Sequence, residues 1–436
     1  MILIMEKILD LHIHSKYSRA CSPDLELPKI AAMCLKKGID IVATGDFTHP
    51  KWFEHIQKEL KEIGNSGLFE LKTPPSPSSS QKEGKNPTRF ILGTEISCIY
   101  KDKDKTRRVH LLIFAPSLQA VEKINDDFDK LGLNRRSDGR PIIGMSAKKL
   151  LQLILKADKR CFMIPAHAWT PWYAIFGSKS GYDSLEECFE ELTPQICAIE
   201  TGLSSDPNMN HRLEKLDKIT LVSNSDAHSL DKLGREANVF SFADENKITY
   251  DEIKKIIFTG DRKKFLYTIE FYPEEGMYQY DGHAVCGVCL SPKQSKKEKN
   301  ICPKCKKPLV IGVEHRVDDL ASREVSEIPW EKFIPHKYIV PLLEILSQIL
   351  EVGPKSKKVV AEYEHLIKNI GSEFYILTKA GEKEILQHTK YPELWLAINN
   401  MRTGRVDLSP GYDGVYGKIG LVGEKEINKF RQVPLL

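Results

Sequence analysis

The sequence predicts an α/β chain in three parts: a metal-dependent β/α barrel over residues 1–270, a four-cysteine ribbon over 271–315, and a smaller mixed α/β, largely helical domain over 316–436. Three observations predict it. Short apolar runs alternate with amphipathic stretches of helical spacing as far as residue 260 or so, the pattern of parallel strands joined by helical crossovers. Seven of those runs end, or nearly end, in His, Asp or Glu, and side chains from seven successive strands can converge only if the strands form a ring. Two Cys-x-x-Cys pairs, 12 residues apart, then mark the ribbon.

The first run ends in His12-Ile13-His14. Residues i and i+2 of a strand project from one face, so these imidazoles can hold one ion or bridge two. IDIVATGDFTH reaches Asp46 and His49, FILGTE reaches Glu95, RRVHLLIF carries His110, FMIPAH reaches His167, ICAIE reaches Glu200, and LVSNSDAH reaches Asp226 and His228. One histidine at a strand end is an ordinary hydrogen-bonded residue, but six of the 13 histidines lie in these runs beside carboxylates, which implies a multinuclear metal site. Nitrogen-rich ligation suits zinc or manganese better than magnesium. Barrel chemistry gathers at the C-terminal ends of strands; His110, at the start of its run, is the exception. Helices are expected in LPKIAAMCLKKG, WFEHIQKELKEI, LQAVEKINDDFDKLG, SAKKLLQLILKAD, SLEECFEEL, HRLEKLDK and TYDEIKKIIFTG, and after the ribbon in PLLEILSQILEV and KSKKVVAEYEHLIKNIG.

Residues 73–88, rich in Pro, Ser and Lys, read as a surface insertion. In the ribbon, Cys286, Cys289, Cys302 and Cys305 complete a tetrahedral, structural zinc site with no open position, leaving His283 a spectator. The other six of the ten cysteines are scattered in or beside apolar segments, which favours a reducing compartment. The N-terminal MILIMEKILDLHIH is a first strand rather than a signal peptide, and no apolar run is long enough to cross a membrane, so a cytoplasmic protein with no membrane partner is expected. A net charge of +4, from 64 basic and 60 acidic residues, neither demands nor excludes a nucleic acid.

With DLHIHSKYS, TGDFTHP, GTEIS, PAHAW and NSDAHS in that order, the first 260 residues resemble the PHP superfamily, the polymerase and histidinol phosphatase domain. PAHAWTPWYAIFGS, YPEEGMYQYDGH before the cysteines, GVEHRVDDLASRE after them and GYDGVYG extend the resemblance over essentially the whole chain, to the endonuclease Q family of DNA repair enzymes, which nick 5′ to deaminated bases. The resemblance implies a distorted seven-stranded barrel holding up to three ions on His12, His14, His49, Glu95, His110, His167, Asp226 and His228. Two departures stand out. Cys21 occupies the place where many relatives carry an Asp or His, which weakens a third ion, and Asp46-Phe-Thr-His49 opens out a common Asp-His pair, leaving Asp46 either a ligand or a support.

The activity this implies is hydrolysis of the phosphodiester 5′ to uracil, hypoxanthine, xanthine or an abasic site, with two or three ions (Zn, Mn or Mg) activating water and Glu95, Asp226 and His228 in the catalytic roles. Trp169, Trp172, Tyr173 and Phe176 follow His167 and are either a hydrophobic cap or a base-stacking surface for an everted nucleotide. Arg135, Arg136 and Arg140 in NRRSDGR, and the loop around Tyr412, are candidate DNA contacts or ordinary turns. A histidinol-phosphatase-like phosphoesterase, using the same metals, and a non-catalytic nucleic-acid adaptor are the alternatives. The tail KFRQVPLL offers no clear motif for a replication clamp.

Overall fold

The computed structural model describes residues 5–73 and 87–423. Nearly all of the expected insertion, and the tail ending KFRQVPLL, lie outside these residues. The strands that position the site are β1 (Met5–Asp10), β2 (Ile41–Ala43), β3 (Arg89–Asp102), β4 (Lys105–Ala115), β5 (Phe162–Pro165), β6 (Ala198–Glu200), β7 (Thr220–Val222), β8 (Ala237–Phe242), β9 (Phe265–Glu270) and β10 (His336–Tyr338). Their helical connections carry ordinary start and stop chemistry: α1 (Leu27–Lys37) has Pro in its first turn and ends at Gly38 with φ of 88°, while Ser146 caps α2 (Ala147–Ala157) and Thr249 caps α3 (Tyr250–Thr259).

The sheet is mixed, where the alternating pattern predicts parallel pairing. Strands β1, β2 and β3 pair in parallel, but β4 runs antiparallel to both β3 and β5, and β8 runs antiparallel to β1 and β9. The reason is local: only Lys103 and Asp104 separate β3 from β4, with Lys103 at φ of 52°, and so short a link makes a hairpin, never a crossover. A separate parallel pair, β6–β7, stands between β5 and β1. The Ala168 N–H donates to the Glu200 carbonyl at 2.9 Å on one side, and the His14 N–H to the Ala227 carbonyl at 3.1 Å on the other. HRLEKLDK is not the expected helix. Asp206 instead caps a four-residue helix at Pro207–Asn210, leaving one 3-10 turn at Glu214–Leu216, because the carbonyl of Arg212 turns outward to accept from the N–H groups of Ser322 and Arg323.

Beyond the ribbon, β10 adds in parallel to β9. One hydrophobic cluster runs from Leu9 and Ile41 through Val317, Leu346 and Leu366 to Leu421, while Val288, Cys302 and Leu309 form a small cluster of their own in the ribbon. A buried ion pair ties the later helices to α1: Lys37 Nζ lies 3.1 Å from Glu373, which also accepts from the Leu342 N–H at 3.0 Å and the Tyr363 hydroxyl at 2.9 Å. Glu373→Ala strands Lys37, 3% exposed, as an unpaired buried charge, so a loss of about 3–5 kcal/mol in chemical denaturation is expected. Glu373→Leu with Lys37→Met should restore most of it; an unchanged midpoint in the single variant would mean that the pair holds nothing together.

Candidate metal centre and ribbon site

Glu95 sits in the middle of β3, 1% exposed, and its two oxygens face two different sets of nitrogens. Oε1 lies 2.7 Å from His110 Nδ1 and 3.1 Å from His167 Nε2; Oε2 lies 3.3 Å from His14 Nε2 and 3.7 Å from His12 Nε2. Asp226 Oδ1 joins the second set, 3.1 Å from His14 Nε2 and 3.5 Å from His12 Nε2. Two donor groups result, His12–His14–Glu95–Asp226 and Glu95–His110–His167, each with its donor atoms within 4.8 Å of one another. The hairpin explains His110: it pairs with Ser97, two residues along from Glu95, so the two side chains are diagonal neighbours on one face. Because β4 runs antiparallel, the early part of this strand reaches the end of the sheet where the parallel strands finish.

His12 Nε2, His14 Nε2 and Asp226 Oδ1 are all buried without a hydrogen-bond partner. Three orphaned polar atoms converging on one point are costly unless something there satisfies them, and a divalent cation fits this donor set. Each of these histidines has a carboxylate at its back. His12 Nδ1 lies 3.0 Å from Glu200, which also accepts from the His167 N–H at 2.7 Å and Asn224 Nδ2 at 2.8 Å. His14 Nδ1 lies 3.1 Å from Asp46 Oδ1, while Asp46 Oδ2 accepts from the Ser15 N–H at 2.7 Å and from the hydroxyls of Ser15 and Ser18 at 2.6 and 2.8 Å. Such partners fix the ring tautomer and leave Nε2 as the donor to a metal. Burial pushes His110 down to about 4 despite the opposing pull of Glu95. Burial alone raises Glu95, but His110, Arg140 and His12 hold it well below the usual carboxylate range. Neutral imidazole and ionised carboxylate are the forms that ligate, so a cation bound here would have to displace the protons of His12, His14 and His167, whose hold burial lowers but Glu200, Asp46 and Glu95 keep raised.

Of the residues expected as ligands, Asp46, His49 and His228 are not in either group. Asp46 is a support, its oxygens already engaged. The His49 ring stacks on Tyr17 at 4.4 Å with Nε2 3.2 Å from the Arg136 carbonyl, and His228 Nδ1 donates to the Asp226 carbonyl at 2.8 Å. The backbone is strained here: Asp46, His167 and Asp226 have φ of 47°, 28° and 45°, as residues held at functional sites are. Sequence reasoning missed the closeness of Arg140, whose NH1 lies 3.0 Å from Glu95 Oε2. Its neighbour Gly139 carries it there, since a Cβ at Gly139 would lie 2.2 Å from Asp46 Oδ2.

In the ribbon, His283, Cys286, Cys302 and Cys305 come together and Cys289 does not. The Cys289 thiol turns instead to the Pro410 carbonyl, 3.8 Å away. The cause is the turn geometry. His283-x-x-Cys286 is followed by Gly287 at φ of 59°, and Cys302-x-x-Cys305 by Lys306 at φ of 61°, so the two knuckles are alike. Cys289 comes one step later, in the strand Val288–Leu290, where it pairs with Gly282. The expected spectator thus takes the place expected of a thiolate, and the His-x-x-Cys-Gly spacing was the signal for it.

Comparison with known proteins adds to this geometry. The lesion-specific endonuclease PfuEndoQ from Pyrococcus furiosus matches with a TM-score of 0.81 and 29% identity over 99% of this chain and 98% of its own. The chain is similar to endonuclease Q over essentially its whole length. A structure of endonuclease Q with a 27-mer duplex carrying an abasic lesion at the active site matches equally, with a TM-score of 0.81 and 29% identity over 99% of both chains. The family model of the MJ0043 C-terminal domain matches residues 341–405. Protein MJ0043 of Methanocaldococcus jannaschii is 31% identical over 265 residues, 59% of this chain and 32% of that protein, so the alignment spans about a third of that relative's length.

In this chain the residues expected to touch DNA divide sharply. Trp169 and Phe176 are each 1% exposed and pack against one another at 4.9 Å, with Trp169 Nε1 donating to Asn210 Oδ1 at 2.8 Å; they are core, not a stacking surface. Trp172 is 48% exposed with Arg108 over its ring, and the Tyr173 ring lies 4.7 Å from that of His110. Arg135 is committed to Asp129 at 2.6 Å and to the Thr48 carbonyl at 2.9 Å, whereas Arg136 is exposed. Tyr412 covers Gly282, where a Cβ would lie 2.3 Å from its ring. Among the described residues no helix is long and apolar enough to cross a membrane.

Proposed function

We propose that this chain is a metal-dependent DNA endonuclease that hydrolyses the phosphodiester 5′ to a deaminated base or abasic site and leaves a 3′ hydroxyl. The whole-chain likeness to an endonuclease Q seated on lesion-bearing duplex carries the reading. It includes a distorted seven-stranded ring in which β6–β7 bridges β5 and β1, a barrel over 1–270 with its ribbon and C-terminal part as DNA-contacting additions, and work inside a reducing cytoplasm.

Divalent ions bound by His12, His14, Glu95 and Asp226 and by Glu95, His110 and His167 would activate water and neutralise charge on the phosphate, zinc or manganese suiting these donors best. Glu200 and Asp46 hold His12 and His14 in the ligating tautomer. Arg140 spends one guanidinium N–H on Glu95 and offers the remainder to a phosphate oxygen. His228, with Nδ1–H donated to the Asp226 carbonyl, presents Nε2 to the site, and after taking a proton there from solvent the imidazolium would pass it to the departing 3′ oxygen.

The test is a labelled duplex with one uracil or abasic site, incubated with manganese or magnesium and resolved on a denaturing gel. A single nick on the 5′ side is expected with the base opposite either adenine or guanine, because the partner strand is not what an everting pocket reads. Release of p-nitrophenol from its phosphate ester with no nicking of DNA would move the chain to small-molecule phosphoesterases.

The two tryptophans should separate in the same assay. Trp172→Ala is expected to slow cutting of duplex lesions about tenfold, with little effect on the same lesion in single strands, where an unstacking cost of a few kcal/mol is mostly absent. Trp169→Ala should instead lower stability by about 3–5 kcal/mol. Equal slowing on both substrates would make Trp172 a cap.

A further inference from the structure

GVEHRVDDLASRE, the motif that follows the ribbon, contains α4 (Val313–Leu320), and this helix is fixed from two sides. On one side His315 Nδ1 lies 2.5 Å from Asp281 Oδ2, while Asp281, fully buried, also accepts from the Gly312 N–H at 2.7 Å and from the Ser295 hydroxyl. On the barrel side Arg212 NH2 lies 2.6 Å from Asp318 Oδ1, and the Ser322 N–H, just beyond the helix, reaches the Arg212 carbonyl at 2.9 Å. A helix braced in this way is a rigid mount for the side chains it carries.

From that mount Arg316 reaches the loop that follows β5. Its Nε donates to the Phe176 carbonyl at 3.0 Å, and its NH2 donates to the Tyr182 carbonyl at 3.1 Å and to Asp183 Oδ1 at 2.5 Å. The Asp183 side chain is more than half exposed, so the ion pair by itself is weak; the two carbonyls are what the planar fork selects. They belong to residues whose own N–H groups tie the loop together, Phe176 to the Ala168 carbonyl at 2.9 Å and Tyr182 to the Ile175 carbonyl at 2.6 Å, and the Lys179 N–H reaches the Pro171 carbonyl at 3.0 Å. This frame presents Trp172, half exposed, and Tyr173, whose carbonyl accepts from the His110 N–H at 2.8 Å and whose ring lies against that of His110. Tyr173 has φ of 65°, a left-handed backbone that a tyrosine keeps only where its surroundings impose it.

We propose that Arg316 is a positioning residue for lesion cleavage: it clasps loop 168–183 so that Trp172 and Tyr173 are set before a duplex arrives. The proposal rests on the reading of Trp172 given above. Without the clasp the loop is ordered only on the DNA, and the entropy lost there is taken from engagement of the duplex. The experiment compares wild type, Arg316→Ala, Arg316→Lys, Trp172→Ala and Arg316→Ala with Trp172→Ala, all as metal-loaded full chain. Amide hydrogen exchange is followed without DNA, single-turnover cleavage is measured on one lesion in duplex and in single strands, and metal content is determined for each variant.

All variants should keep wild-type metal content. In Arg316→Ala the amides of residues 170–182 should exchange about tenfold faster or more, with β3 and β4 at wild-type rates, and Arg316→Lys, which keeps the charge but not the fork, should resemble it. Arg316→Ala should slow cutting of the duplex lesion about tenfold and of the single-stranded lesion far less. Added to Trp172→Ala it should slow duplex cutting no further, because both changes act through one side chain. Wild-type exchange in this loop, equal slowing of both substrates, or a loss that adds to that of Trp172→Ala would each overturn the positioning role. Wild type that nicks no lesion-bearing duplex would instead sink the enzyme reading, and the exchange rates would still decide whether Arg316 holds the loop.

Discussion

Glu95→Gln is expected to abolish strand cleavage, lowering the single-turnover rate by at least about 10³-fold, while affinity for a lesion-bearing duplex stays within about tenfold of wild type. The substitution changes almost no volume. It removes the charge that both donor groups share, since Oε1 faces His110 and His167 and Oε2 faces His12 and His14. One amide offers a single carbonyl oxygen and an NH₂ that repels a cation, so both groups lose their bridge together. Mass spectrometry of the metal-loaded protein should show the barrel ions falling together, whereas Asp226→Asn touches only the group that contains His12 and His14. Full ion content with cleavage within tenfold of wild type would remove Glu95 from the bridging position.

His283→Ala should release the ribbon's metal and Cys289→Ser should not. The apolar cluster there consists of Val288, Cys302 and Leu309, too few residues to offset the entropy of ordering the segment without the ion. Structural zinc supplies on the order of 10–16 kcal/mol to small domains of this kind. Its loss should disorder residues 280–315 and weaken DNA binding before the barrel metals are affected. Metal analysis should therefore show one ion fewer per chain in His283→Ala and an unchanged count in Cys289→Ser. The reverse outcome would return the site to the four thiolates that the cysteine spacing suggests.

These two experiments fall where sequence and structure part. The sequence determined the donors: apolar runs ending in His12, His14, Glu95, His110, His167 and Asp226 put nitrogen and carboxylate ligands at strand ends, because strand length and side-chain alternation are local properties of the chain. It also determined most of the helices, and the two turns that make the ribbon's knuckles. Only the tertiary structure decided which donors share an ion and which stand behind them. His12 and Glu200 are 188 residues apart in sequence, and whether a carboxylate binds metal or a histidine's far nitrogen depends on ångström differences between such distant segments. The seating of Arg140 against Glu95, 45 residues away in sequence, and the burial of Trp169 against Asn210, 41 residues away, were decided in the same way. Each depends on how one segment's backbone turns against another, and the periodicity of a single segment carries no record of that.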